Sequence, residues 1–170
     1  MKILDVNILV YAVNKDASLH TNAKIWLEQT LSGSESVGLS WNVLLAFLRL
    51  TTRTGLFRQP LRLETAFDLI GAWMRYPTVM VIHPGPRHWQ VLRELLGPLG
   101  AGGNLTSDAH LAALAIECGA ELCSCDSDFA RFRGLNWQNP LDYNKLWGAS
   151  TTGPRARKPG SRTPDSNPQA

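Results

Sequence analysis

Residues 1–13 read MKILDVNILVYAV, and how this stretch is read decides the fold. Lys2 to Leu4 form a short apolar run suited to a buried strand. Asp5 stands at its end, with Ile3 and Leu4 before it and Ile8, Leu9 and Val10 after it. Burying a carboxylate in such company costs several kcal/mol unless it is paired, hydrogen-bonded or bound to a metal. One reading makes Asp5 or Asn7 the cap of a following helix. The other makes Asp5 part of a polar site at the strand's end. The run is apolar enough to suggest a signal peptide, but Asp5 and Asn7 interrupt it and no small-residue cleavage site follows, so secretion is not expected.

Outward from this stretch, short β-rich runs alternate with helical patterns. Val37 to Leu39, Val79 to Ile82 and Glu121 to Ser124 read as further buried strands. Thr21 to Leu31 and Trp41 to Thr51 read as helices, the second capped by Ser40. Leu63 to Met74 and Arg87 to Leu96 repeat apolar residues at spacings of three and four. Ser107 is positioned to cap a further helix that stops at Gly119. Alternation of this kind implies parallel strands joined by helical crossovers, so the predicted fold class is α/β, with three α/β/α layers around a central parallel sheet. In such sheets the functional crevice lies beyond the carboxyl ends of the strands.

The 170 residues and a hydrophobic fraction of 44% suit one folded domain, and a charged fraction of 18% argues against wholesale disorder. The net charge of +3 resides in the last 22 residues, where Arg155, Arg157, Lys158 and Arg162 face only Asp165. What precedes them holds 13 basic and 13 acidic residues. Bulk charge therefore gives no sign of nucleic-acid binding. We divide the chain into a domain over residues 1–147 and a flexible basic tail over 148–170, where ASTTGPRARKPGSRTPDSNPQA has four prolines, scattered positive charge and no apolar periodicity. No stretch approaches the roughly 18 apolar residues of a membrane span. Three cysteines suit a reducing cytoplasm better than a disulfide framework.

Asp126 and Asp128, in LCSCDSDF, directly follow the fourth strand, and Asp108 lies in the first turn of a helix, where the dipole favours an anion. Taken singly, Asp108 reads as a helix-start anion and Asp126 and Asp128 as turn formers. Taken together, Asp5, Asp108 and Asp126 gather at one sheet edge. A divalent cation with oxygen ligands would relieve their repulsion, and Mg²⁺, or alternatively Mn²⁺, is the expected occupant. Such an ion lowers the pKa of a bound water and neutralises charge developing on a phosphodiester. The chain contains no G-x-S-x-G elbow, P-loop or H-E-x-x-H motif.

The opening MKILDVNILVYA, the helix SWNVLLAFLRLTTR, the segment GNLTSDAHLAALA and the run CSCDSDFARF together resemble the PIN-domain ribonucleases, in particular VapC-type toxins of VapBC toxin–antitoxin systems. The resemblance spans roughly residues 1 to 142 and makes the domain a PIN-like nuclease. It implies metal binding and catalysis by Asp5, Asp108 and Asp126, the last at the further acidic position after strand four, with Asn7 at the polar position two beyond the first Asp. Asp128 is expected to support these residues from outside the ligand set. Most relatives carry a Glu on the helix VLLAFLRL, where this chain has Ala46.

The resemblance further implies an endoribonuclease that hydrolyses RNA with a metal-activated water, a cognate VapB-type antitoxin, a homodimer and a cytoplasmic location. An antitoxin of this type would offer an arginine to the acidic pocket. The alternative is a catalytically weak or inactive PIN-like binding protein that engages a basic partner or RNA, which Ala46 favours. A phosphatase or phospho-receiver ranks last, because DVN lacks the second acidic residue those sites use. Arg49 and Arg53, one helical turn apart, face either a phosphate backbone or solvent. Trp41 and Phe47 read as core or dimer-packing residues. The spacing of Cys118, Cys123, Cys125 and His110 matches no standard zinc pattern. His83 and His88 have no evident partner, and His20 reads as a loop residue.

Overall fold

The computed structural model describes residues 1–142 apart from 101 and 104, so the tail over 148–170 lies outside the described residues. The strands are β1 (Lys2–Leu4), β2 (Val37–Ser40), β3 (Val79–Ile82), β4 (Glu121–Cys123) and β5 (Asn136–Gln138). The helices are α1 (Val6–Val13), α2 (His20–Ser32), α3 (Trp41–Thr52), α4 (Leu63–Met74), α5 (His88–Leu96) and α6 (Leu105–Glu117). The strands form one sheet in the order β3-β2-β1-β4-β5, and every neighbouring pair is parallel.

From β1 the chain winds outward to β2 and β3, then returns across the sheet to β4 and β5. Right-handed crossovers in opposite directions place their helices on opposite faces. Accordingly α1 packs on α2 and α3, α3 packs on α4, and α5 packs on α6. The switch in winding falls between β1 and β4, where Leu4 aligns with Cys123. This is the three-layer α/β architecture read from the alternation of elements.

The inner positions of the central strands are apolar because helices cover both their faces. Ile3, Leu4, Val37, Leu39 and Leu122 are wholly buried. β3 was expected to be buried, but it lies at an edge, and Met80 there is exposed. β5 was not anticipated: the three residues Asn136–Gln138 have no apolar pattern and owe their conformation to the free edge of β4. β4 ends at Cys123, so Ser124 stands just past the strand.

Helix ends follow local chemistry. The Ser40 hydroxyl accepts from the N–H of Val43 at 3.3 Å, as its capping position requires. Gly119 takes a φ of +57°, and Ala120 N–H reaches back to the Ala115 carbonyl at 2.9 Å, closing α6 as a Schellman turn. α6 begins at Leu105, so Ser107 lies inside the helix instead of capping it. Phe47 is buried and meets Trp73 edge-on at 4.9 Å between ring centroids, whereas Trp41 is exposed and does not belong to the core. No helix among the described residues is long and apolar enough to cross a membrane.

Two histidine readings need correction. His20 opens α2, where its Nδ1 donates to the Tyr11 carbonyl at 3.1 Å. His88 is buried with both ring nitrogens engaged: Nδ1 lies 2.9 Å from Glu117 Oε2 and Nε2 lies 2.9 Å from His110 Nδ1. The Glu117 carboxylate also accepts from the N–H groups of Gly85 at 3.1 Å and Arg87 at 3.2 Å. Burial and the neighbouring His88 depress the pKa of His110. The sequence could not disclose these partners, because they meet only when α5 packs on α6.

Candidate active site

Asp5 leaves β1 and immediately starts α1, so one residue serves both readings of the opening stretch. Its Oδ1 accepts from Val6 N–H at 2.6 Å as a helix cap. Its Oδ2 accepts from Asn7 Nδ2 and from Ser124 Oγ, each at 2.7 Å. Its own N–H bonds the Cys123 carbonyl at 3.0 Å, which ties the carboxyl ends of β1 and β4 together at the switch point.

Asn7 and Ser124 lock this junction. Asn7 Nδ2 also donates to Ser124 Oγ at 2.8 Å, and Asn7 Oδ1 accepts from Cys125 N–H at 3.2 Å. Ser124 Oγ in turn accepts from Asp126 N–H at 3.0 Å. Ser124 was missed as a site residue. Its trace in the sequence is a hydroxyl between two cysteines directly after an apolar strand, in a place that proves wholly buried. Such a polar group requires partners, and Asp5 is one of them.

Asp126 is exposed, and its Oδ1 accepts from Asp128 N–H at 2.9 Å at the start of the 3₁₀ turn Ser127–Arg131. Asp128 pairs with Arg131 at 3.1 Å. The turn-forming reading therefore holds for both residues. Asp108 sits half-buried in the first turn of α6. Ala46 occupies a half-buried position on α3.

The carboxylates repel one another across the site. Partial burial pushes the pKa of Asp108 up to about 6, and the charges of Asp5, Asp126 and Asp128 add to the rise. Burial also raises the pKa of Asp5, with Asp126 adding repulsion, against the opposing hydrogen bonds from Ser124 and Val6. Among the described residues, no basic side chain forms an ion pair with Asp5, Asp108 or Asp126. The donor set is all oxygen, which suits a hard dication. Among the described residues, however, no three His, Cys, Asp or Glu side chains are grouped closely enough to hold one ion together. That observation also covers the cysteine and histidine cluster. Burial pushes Cys123 up to about 12 and Cys125 up to about 11, which leaves both as thiols at neutral pH.

Residues 2–135 match the PIN domain family. Among curated proteins the chain is similar to Ribonuclease VapC37 of Mycobacterium tuberculosis, with 46% identity over 140 residues, 82% of this chain and 97% of that one. It is similar to VapC ribonuclease Mb2897 of Mycobacterium bovis at 40% identity, over 84% of this chain and 97% of that one. Among solved structures it resembles VapBC2 from Rickettsia felis bound to a promoter DNA fragment, with a TM-score of 0.57, 22% identity and coverage of 81% and 97%. It also resembles VapC20 of Mycobacterium tuberculosis, described as a Sarcin-Ricin loop cleaving toxin, with a TM-score of 0.55, 19% identity and coverage of 76% and 93%. These two structures bear on the fold alone.

Proposed function

We propose, because this chain belongs to the VapC ribonucleases of the PIN-domain family, that it is a Mg²⁺-dependent endoribonuclease acting as the toxin of a toxin–antitoxin pair. The observation that carries this reading is the set of mutually repelling carboxylates at the β1/β4 switch point, without a basic partner among the described residues. Asp5, Asp108 and Asp126 would share the ion, one or two of them as direct ligands and the rest through its bound waters. Mg²⁺ dehydrates reluctantly and is commonly bound by one or two carboxylates with water completing its shell, so the spread of these residues is compatible with it. When bound, the ion supplies an activated water and neutralises charge on the phosphodiester.

The chain's own residues preorganise that chemistry. Ser124 and Asn7 at Oδ2 and the Val6 N–H at Oδ1 orient the Asp5 carboxylate, so it loses little rotational freedom when the ion binds. Ser124 also sets the turn that presents Asp126. Asp108, with its pKa near 6, is ionised at neutral pH and becomes a better ligand as pH rises through that value. No side chain need act as a covalent nucleophile.

The same negative charge suits an arginine from a VapB-type antitoxin, since a guanidinium can pair with a carboxylate in a two-pronged fashion. The proposed homodimer has apolar surface to draw on, because Trp41, Leu45, Leu63 and Phe67 are exposed on α3 and α4. A cytoplasmic location belongs to the same reading. The decisive experiment incubates the purified chain with a panel of structured and unstructured RNAs, with Mg²⁺ or with EDTA. Cleavage is expected only with the metal, and Asp5→Asn and Asp108→Asn should abolish it. Co-purification with the small protein encoded beside it should suppress cleavage. A folded chain that cleaves no RNA with either Mg²⁺ or Mn²⁺ would exclude the enzyme and leave a binding protein.

A further inference from the structure

An RNA strand brought to three carboxylates is repelled, and in a body of balanced charge the attraction has to come from a local patch. One stretch supplies it. Residues 49–62, which end α3 and connect it to α4, contain Arg49, Arg53, Arg58 and Arg62 and no acidic residue. All four are exposed. Of these four arginines only Arg62 is in an ion pair among the described residues, with Glu64 at 4.0 Å, and both side chains are so exposed that the pair has little worth.

The connection is held in place. Leu61 N–H bonds the Thr51 carbonyl at 2.8 Å across its base, Thr54 bridges Phe57, and Phe57 is buried in the core. Asn14, at the end of α1, donates from Nδ2 to the Leu56 carbonyl at 3.5 Å. The acidic cluster lies at the start of α1 and the basic connection at its finish, a separation of roughly 14 Å along the helix at about 1.5 Å per residue. Between the end of α1 and the connection is an open cavity of about 410 Å³ whose lining includes Asn14, Lys15, Asp16, Phe57, Arg58 and Gln59, so one carboxylate faces two cationic side chains there.

We propose that the α3–α4 connection grips the phosphate backbone of the RNA through Arg49, Arg53, Arg58 and Arg62, holding the strand while the acidic site acts on it. The assignment rests on the RNA-cleaving function proposed above. It makes these arginines binding residues that act equally on substrate and transition state, so their loss raises KM and leaves kcat alone.

The test measures binding of a single-stranded oligoribonucleotide in EDTA across a salt series, for wild type, Arg53→Gln/Arg58→Gln, Arg49→Gln and the control Arg75→Gln. Each phosphate contact contributes about 0.7 to the slope of log affinity against log salt. The double variant is expected to lose about 1.4 of that slope and Arg49→Gln about 0.7, while Arg75→Gln keeps the wild-type slope. With metal present, the double variant should show a raised KM and an unchanged kcat. An unchanged slope in both arginine variants overturns the proposal. So does weakened binding of the neighbouring antitoxin with no change in RNA binding, which would assign the arginines to that protein. Asp108→Asn separates the two readings, because it removes cleavage and retains the slope. If the slopes change as expected and no protein cleaves RNA, the nuclease reading fails while the grip stands.

Discussion

Replacing Asp108 by Asn should stabilise the metal-free protein at neutral pH, although it destroys the proposed site. The carboxyl has its pKa raised from 3.8 to about 6, by burial first and then by repulsion from Asp5, Asp126 and Asp128. A group whose pKa is higher in the folded chain than in the unfolded one keeps its proton longer when folded. Stability is therefore lost as pH rises from about 4 to about 6, and the penalty is constant above that window. A displacement of this size is worth roughly 3 kcal/mol for a wholly buried carboxyl, at about 1.4 kcal/mol per factor of ten. Asp108 is only half-buried, so solvent screening reduces the figure to roughly 1 to 1.5 kcal/mol. At about 2 to 4 °C per kcal/mol for a chain of this size, Asp108→Asn should raise Tm by roughly 2 to 6 °C in EDTA near pH 7.5. Near pH 4 the gain should shrink to a fraction of that. Added Mg²⁺ should reverse the order, raising the wild-type Tm and not the variant's. Circular dichroism melts at the two pH values, with and without the metal, make the measurement. A variant that melts no higher than wild type at neutral pH in EDTA, or gains equally at both pH values, would refute the electrostatic account of this residue.

Ser124→Ala should destabilise the protein by about 1 to 3 kcal/mol in urea melts, because it removes a donor from Asp5 and leaves Asp126 N–H without its acceptor. Gly85→Ala would place a Cβ 2.7 Å from Glu117 Oε1 and push that carboxylate off the N–H groups of Gly85 and Arg87. A loss of about 1 to 3 kcal/mol is expected, and it should be smaller in a Glu117→Gln background, where the interaction is already weakened. Phe47→Ala, which empties a wholly buried site beside Trp73, should cost about 3 to 5 kcal/mol by the same measurement.

The alternation of apolar runs and amphipathic segments was sufficient to place four strands, five helices and the α/β class, because the period of burial is written directly into residue order. Ser40 and Gly119 announced their helix ends through local chemistry alone. The candidate carboxylates could also be named from sequence, since an Asp after a buried strand is conspicuous wherever it occurs. α1 was legible only as a possible consequence of capping by Asp5, because Ile8, Leu9, Val10 and Ala12 are all buried and show no polar face. β5 could not be seen, because it is a strand by virtue of the edge it pairs with. Tertiary structure alone decided that Asp5 both caps α1 and belongs to the site, and that Ser124, 119 residues away, donates to it. It decided likewise that His88 joins Glu117 to His110. These are long-range contacts created when strands β1 and β4 meet and helices α5 and α6 pack. Residue type and local spacing carry no record of such meetings, whereas helix periods and caps depend on neighbours a few positions away.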